Sequence, residues 1–467
     1  NLGTPNLSLD ASGNVTVGNG LTITGTQTFN GNLTLKTPST TTALYEYWNN
    51  GTNNVAAIAG YSDSTTAGHL ELYTTTGGTL TEQARIDQYG SLLVGTTTSP
   101  TTTAGLGTIS AAGTVVMGSS FLRNRVINGD MRVNQRNTAV SASAYTVDRW
   151  QFAKSNDATE SAAQSTDAPT GFSYSVKDTI SVADTSIGAA QYAGFIQPIE
   201  GYNIADLSFG TANAKTVTVS FWVKATQTGT YSCLLQGGSP QRQVWKSYTV
   251  SASNTWEYKT LTFSGDTNTG STWDTTSGIG LYLQFYYALG SSFQTGTDGV
   301  WAATSTNNFG PVGMANGLSA NGNIFAITGV QLEVGSVATP FERRLYAQEL
   351  NLCYRYFVKW VGTATGGAGF PPMGVGLATS STNADLVLFT PVQMRSVPTL
   401  AITGACNLYD GTGNPAITSI STVYGSPENG SIWYIVQGAS GGLTSGKGCF
   451  AYVGNASSNS FSMSAEF

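Results

Sequence analysis

Charge is what this 467-residue chain has least of: Asp, Glu, Lys and Arg make up 10% of it, against roughly 25% in an average soluble protein. The net charge of −6 argues against a nucleic-acid partner, which needs a basic face. The one concentration of arginine, Arg123, Arg125, Arg132 and Arg136, is interrupted by Asp130 and reads as local ion pairs. Histidine occurs once, at His69, so a Ser-His-Asp or Cys-His centre would have to be built on that residue, and a histidine-based zinc site is implausible. The four cysteines, Cys233, Cys353, Cys406 and Cys449, form no CxxC pair and no disulfide framework; they read as buried reduced thiols. No apolar run approaches the length of a bilayer span, so membrane insertion is not expected. No phosphate-cradling or dinucleotide glycine motif occurs, and no cofactor is expected. The chain opens on Asn1 without a secretory leader, which leaves room for an anchoring segment ahead of it.

Its polarity comes instead from Ser, Thr, Asn and Gln. With 56 Gly and with 22 Tyr, 19 Phe and 9 Trp, the chain has apolar surface that a disordered sequence lacks. The composition predicts an all-β protein of many strands joined by Gly and Asn turns.

Residues 1–120 carry only eight charged side chains. Short alternating segments (Leu7–Leu9, Val15–Val17, Leu21–Thr24, Leu33–Leu35) are punctuated by Gly and Asn-Gly. Strands of that length cannot bury a face within one thin chain. The expectation is a fibrous shaft in which three identical chains intertwine, a homotrimer whose copies complete one another's cores. Residues 121–338 are richer in charge and aromatics, with longer alternating runs such as Thr216–Lys224 and Leu281–Tyr287. They predict an antiparallel sandwich of jelly-roll type. Thr339-Pro340-Phe341-Glu342 has the form of a capping box with Pro at the first helical position. It predicts a linker helix within 339–360, with Phe341, Leu345 and Leu350 on its apolar stripe. Residues 361–467, with six charged side chains, predict a compact C-terminal β domain.

Several stretches carry a resemblance. Glu82–Pro100 is similar to a strand–turn–strand segment of phage fibre proteins. Arg125-Val126-Ile127-Asn128-Gly129-Asp130-Met131 with Asp148-Arg149-Trp150, and Ile327–Gly335 through Pro340–Arg344, resemble the opening and close of a domain recurrent in phage tail-fibre and other virion proteins. Tyr354–Phe357 and Phe389–Thr399 resemble the C-terminal domain that follows it. Thr255-Trp256-Glu257-Tyr258 and the Gly-Val-Gln-Leu-Glu close also resemble carbohydrate-binding jelly-roll modules. The resemblance implies a virion surface fibre made in the bacterial host's cytoplasm, joined to other virion proteins on its N-terminal side, that recognises a host glycan or receptor. It transfers no catalytic residue. A purely structural head or collar fibre, a polysaccharide depolymerase and a bacterial adhesin are the alternatives. A depolymerase would need two facing carboxylates; Glu257, Asp266, Asp274 and Asp298 are available, but no spacing selects a pair. No EF-hand spacing points to calcium.

The positive chemical signal is aromatic. In Val217–Lys224 the residues Val217, Val219, Phe221 and Val223 share one face, which leaves Trp222 on the other. In Leu281–Tyr287 the same parity leaves Tyr282, Gln284 and Tyr286 opposite the aliphatic face. Rings and amides of this kind suit sugar binding, and subunit interfaces favour the same residues. At the C-terminal end Tyr409, Tyr424 and Trp433 are candidate receptor contacts beside Gly-rich or Asn-rich stretches. Trp433 shares a strand face with Ile435, which also fits a core position.

Overall fold

The computed structural model describes residues 7–9, 15–17, 44–49, 54–62, 68–76, 79–89, 91–95, 109–111, 123–303, 308–362, 372–424 and 432–467. The chain divides into two compact units, Asn1–Val116 and Met117–Phe467. The described structure is all-β apart from two short 3-10 turns and one α-helix, Tyr346–Tyr354. That helix is too short to cross a membrane.

In the first unit Leu7–Leu9 and Val15–Val17 pair antiparallel. Six further strands, from Leu44–Asn49 to Ile109–Ala111, make one sheet in chain order. Its longest members, Asn54–Ser62 and Gly68–Thr76, run nine residues, longer than the alternation suggested; the stretches at 21–24 and 33–35 lie outside the described residues. Thr79–Ile86 and Leu92–Val94 form the expected hairpin. Asp87 Oδ1 closes it by accepting the N–H groups of Tyr89 at 2.9 Å and Ser91 at 2.8 Å. Glu71 is buried and engaged by His69 at 3.0 Å and Arg85 at 2.6 Å. Trp48, Leu70, Leu72, Ile86 and Val94 are exposed.

The second unit opens with a two-sheet antiparallel sandwich of jelly-roll type. The seven-stranded sheet runs, edge to edge, Ala302–Ala303, Arg242–Val250, Gly229–Gly237, Ile279–Leu289, Tyr192–Glu200, Gln151–Ser155, Ala144–Tyr145. The five-stranded sheet runs Thr159–Ser165, Ser175–Val182, Ile324–Val334, Val217–Ala225, Glu257–Phe263. The parity argument holds for the inward faces: Val217, Val219, Phe221 and Val223 from one sheet and Leu281, Leu283, Phe285 and Tyr287 from the other are all buried. Phe221 and Phe285 meet across the middle at 4.7 Å. Burial of each such side chain contributes about 1.5–3 kcal/mol.

The helix differs from the sequence expectation. Thr339 does not cap it; the Thr339 N–H and hydroxyl bond to Glu333 at 2.8 and 2.6 Å, and the Glu342 N–H bonds to Gln331 Oε1 at 2.7 Å. These partners across the sheet take the donors that a helical turn at 339–342 would have left for a cap. The helix begins at Tyr346, with Gln348 Oε1 accepting the Leu345 N–H at 3.2 Å. Leu345 is exposed, and Leu350 packs with Ile127, Val133, Cys353 and Tyr356.

Beyond the helix, Phe357–Val361, Ser460–Ser464 and Thr399–Thr403 form a three-stranded sheet. A six-stranded sheet runs Cys406–Tyr409, Gly448–Val453, Pro372–Ala378, Asn383–Phe389, Ile432–Ala439, Ile417–Tyr424. A dense polar junction ties this part to the sandwich. Arg149, 1% exposed, lies 3.5 Å from the Tyr356 ring centre and pairs with Glu466. Glu200 accepts from Arg355 Nε at 2.8 Å and Tyr356 O–H at 2.6 Å. The Asn-Gly-Asp-Met and Asp-Arg-Trp motifs belong to this junction. Asn128, at a φ of 57°, donates to the Val133 and Asp148 carbonyls at 2.8 and 2.9 Å, and its own carbonyl accepts the Trp150 indole N–H at 3.0 Å.

Candidate functional site

The outer face of the five-stranded sheet carries an open groove of about 990 Å3. Its floor comes from register. Trp222 pairs directly with Tyr258 on the next strand, and their rings lie 5.5 Å apart at 53°. On Trp222's other side the pairing with Ile324–Val334 slips between Ser220 and Trp222, a bulge that places Gly329 at a φ of +61°. A Cβ on Gly329 would stand 2.7 Å from Phe172 Cζ and 3.1 Å from Trp222 Cδ1. Glycine therefore lets the two rings close on the backbone between them.

One wall is the return segment 336–343. It is pinned to the sheet by the buried Gln331 and Glu333, by Thr218 Oγ1 donating to the Gly335 carbonyl at 2.7 Å and by Thr262 Oγ1 donating to Ser336 at 3.2 Å. Phe341 from this segment meets Phe172 edge-on at 5.2 Å. Phe172 sits on a four-residue turn closed by its N–H to the Pro169 carbonyl at 3.0 Å, with Gly171 at a φ of +91°. The Arg343 guanidinium spans turn and wall, 4.6 Å from the Phe172 ring centre, 5.7 Å from that of Phe341, and donating to the Gly171 carbonyl at 2.6 Å.

The residues expected from the sequence are not brought together. Trp222 is half-buried in the groove, whereas Tyr282, Gln284 and Tyr286 lie on the other sheet, so the four never share a surface. Parity put the last three on an outer face, but Phe309 packs over Tyr286 there, and Gln284 is enclosed between Tyr286 and Gln236, to which it donates at 2.9 Å. Tyr286 is 4% exposed, stacks on Phe309 at 5.7 Å and donates to Gln284, itself 3% exposed, at 2.7 Å. Tyr282 is half-buried. Trp433 is a core residue, 0% exposed, with its indole N–H donating to Thr390 at 3.3 Å. Tyr409 is 40% exposed, on a strand rather than a loop, and packs on Phe450 at 5.5 Å. The side chain of Tyr424 lies outside the described residues. Tyr258, Phe172, Phe341 and Arg343 were missed as site residues. The alternation of Tyr258, Thr260 and Thr262 marked them as outward-facing, but nothing local in the sequence pairs Tyr258 with Trp222.

The candidate acids all have structural partners. Glu257 accepts the Ser251 and Ala252 N–H groups, Asp266 pairs with Arg242 at 3.0 Å, Asp274 accepts from Thr276, and Asp298 accepts from Ser247. No carboxylate lines the groove among the described residues. The perturbed acids lie elsewhere: burial pushes Glu160 up to about 7, with the Asp178 charge adding to it, and burial pushes Asp178 up to about 6. The four cysteines are buried and free.

This is an antiparallel β sandwich with an aromatic groove on one outer face. No family model matches the chain, and no curated protein matches it. Solved structures that overlap it include the enzymatically active domain of bacteriophage CBA120 tailspike protein 4, at 15% identity and TM-score 0.27, covering 50% of this chain and 26% of that one. The C-terminal family 22 carbohydrate-binding module of Clostridium thermocellum Xyn10B overlaps at 15% identity and TM-score 0.24, covering 44% and 99%. A sugar-binding protein of Bacteroides thetaiotaomicron, described as putative, overlaps at 10% identity and TM-score 0.27, covering 46% and 100%. The chain thus spans about a quarter of the tailspike domain's length, and the functional reading rests on the groove.

Proposed function

We propose that this chain is the binding part of a bacteriophage surface fibre, that it holds saccharides of the bacterial envelope in the Trp222–Tyr258 groove, and that it does so without cleaving them. The observation that carries this reading is the groove itself: two outward rings set side by side, a third on the wall and a fourth on the facing turn, with threonines among the lining residues. Aromatic faces take up the apolar faces of pyranose rings, and the hydroxyls and backbone groups around them satisfy the sugar's own hydroxyls. A carboxylate-free lining supports binding over hydrolysis, which needs an acid and a second carboxylate across the scissile bond. The sequence motifs at 125–150 and 327–344 support the assignment to a virion.

Assembly as a homotrimer is part of the same reading. The exposed Trp48, Leu70, Leu72, Ile86 and Val94 of the first unit support it, because soluble proteins seldom leave such a row uncovered. Light scattering on the intact chain is expected to return three times the chain mass; a monomer mass would remove this element. Binding is tested by glycan array and calorimetric titration of the wild type and of Trp222→Ala. Loss of an aromatic anchor is expected to weaken binding by about 2 kcal/mol or more. Unchanged binding would exclude the groove. New reducing ends after incubation of the wild type with a bound polysaccharide would show catalysis and overturn the non-enzymatic reading.

A further inference from the structure

We propose that the saccharide held in the groove carries a carboxylate, and that Arg343 is the residue that reads it. The inference rests on the reading of the groove as a sugar site and deepens it to a class of ligand: glycans containing uronic or other carboxylated sugars.

Arg343 is the single charged side chain among the described residues lining the groove. The other arginines in and against this stretch are matched. Arg344 faces Glu349 at 3.4 Å and Glu342 at 3.9 Å, Arg132 faces Asp130 at 3.0 Å, and Arg123 faces Glu333 at 3.7 Å. Among the described residues Arg343 has no carboxylate within ion-pair distance. Asp130 feels its charge but is already engaged by Arg132. The guanidinium is nonetheless held, by two phenyl rings and by one hydrogen bond to the Gly171 carbonyl. That bond uses one of five N–H donors and leaves an edge of the planar fork unmatched.

An arginine on a bare surface would lose rotamer freedom on meeting an anion. Arg343 is exposed, but the Phe172 ring and the Gly171 carbonyl already restrict its rotamers, so less remains to be lost per hydrogen bond formed. The chain carries a net charge of −6, so attraction for an anionic polymer has to be local, and the groove supplies it by combining one cation with a lining free of acids. A carboxylate coplanar with the fork accepts two parallel bonds, which are shorter and roughly twice as strong as those to a neutral hydroxyl. The rings would hold the sugar body while the guanidinium edge selects its acid group.

The experiment is an array of acidic and neutral bacterial polysaccharides, each acidic one paired with its carboxyl-reduced counterpart and accompanied by phosphate-substituted glycans. It is probed with the full-length wild type, Arg343→Gln, Arg343→Lys and Trp222→Ala. The wild type is expected to select carboxylated glycans and to bind their reduced forms at least tenfold more weakly. Arg343→Gln is expected to bind both forms at that lower level, Arg343→Lys to recover binding only in part, and Trp222→Ala to lose both. Raising the salt concentration should weaken the wild type and leave Arg343→Gln nearly unaffected. Selection of neutral or only phosphate-substituted glycans, or wild-type binding that survives carboxyl reduction, overturns the proposal while the saccharide reading stands. If Trp222→Ala and Arg343→Gln both bind as the wild type does, the groove is not the site and both readings fall.

Discussion

Two outward sheet faces of the second unit invite comparison. The five-stranded sheet of the sandwich and the six-stranded sheet near the C-terminus both bury one face in a core and turn aromatics outward on the other. In the sandwich the return segment 336–343 lies over the sheet and makes a walled groove holding a lone cation. On the C-terminal sheet Tyr409, Phe450, Val375, Leu377 and Phe389 stay exposed. Tyr409, Phe450 and Val375 are direct neighbours across three strands. A concave face with a few placed polar groups suits a small ligand, whereas an exposed row of largely apolar side chains suits a protein surface. The difference lies in what crosses above each sheet rather than in strand composition, which is aromatic in both.

The comparison breaks most completely if the junction between the sandwich and the C-terminal part is removed. Arg149 is buried with Glu466 and against the Tyr356 ring. Arg149→Ala removes one of the two arginines on Glu466, which Arg136 still holds at 3.1 Å, together with the contact to the Tyr356 ring; loss of the charge-assisted bond costs about 1.5–3 kcal/mol. Chemical denaturation should show the whole second unit destabilised, with sugar binding lost alongside. A midpoint within experimental error of the wild type would show that the two parts do not depend on this pair.

Proton binding separates the two regions with opposite signs. In the sandwich core Glu160 and Asp178 are protonated more readily than in an unfolded chain, because burial disfavours their charge. A raised carboxylate pKa means that the folded state holds the proton, so stability falls as pH rises from about 4.5 to 7. The shift of Glu160 from 4.5 to about 7 corresponds to about 3 kcal/mol across that window. In the C-terminal part Asp410 is held well below the usual carboxylate range by the N–H groups of Gly413, Thr412 and Thr444. Its contribution is present above the unfolded carboxylate pKa and is lost only as pH falls through its folded value. Glu160→Gln should flatten the slope of thermal stability between about pH 4.5 and 7 and leave the acid limb in place. An unchanged slope would remove Glu160 as its source.

The exposed face of the C-terminal sheet gives a smaller effect. Phe450→Ser, 36% exposed in the wild type, should change chain stability by about 1 kcal/mol or less and leave sugar binding untouched. Any loss should appear in self-association, read by sedimentation. A drop in glycan affinity instead would move recognition to this sheet and undo the distinction between the two faces.

Inward faces were legible because period-two alternation survives any tertiary context: Val217, Val219, Phe221 and Val223 share one face in the sequence and are all buried in the structure. Outward faces were not, because exposure depends on what crosses above them. Trp222 and Tyr286 have the same parity signature, and one lines a groove while the other lies under Phe309. The buried Trp433 follows the reading that paired it with Ile435. Pairing was hidden for a related reason: the Trp222–Tyr258 floor depends on the register between Val217–Ala225 and Glu257–Phe263, which no local motif specifies. The Arg-Val-Ile-Asn-Gly-Asp-Met and Asp-Arg-Trp motifs marked the junction rather than a binding residue.

Thr339 sharpens the comparison at its finest point. Read locally, Thr-Pro-Phe-Glu is a helix start, and Thr339→Ala would fray a helix. In the structure the Thr339 hydroxyl donates to Glu333 at 2.6 Å while its N–H goes to the other oxygen of the same carboxylate at 2.8 Å, and the helix begins only at Tyr346. Both readings give about 1 kcal/mol for the substitution, one from a lost cap and one from a lost hydrogen bond, so the magnitude cannot separate them. Location can. Hydrogen exchange should quicken at residues 336–342 and stay unchanged across Tyr346–Tyr354, and sugar affinity should fall a few-fold as the wall carrying Phe341 and Arg343 loosens. Thr339→Ser, which keeps the hydroxyl, should restore both. Faster exchange confined to Tyr346–Tyr354, with affinity intact, would return Thr339 to the helix and leave the wall to Gln331, Thr218 and Thr262.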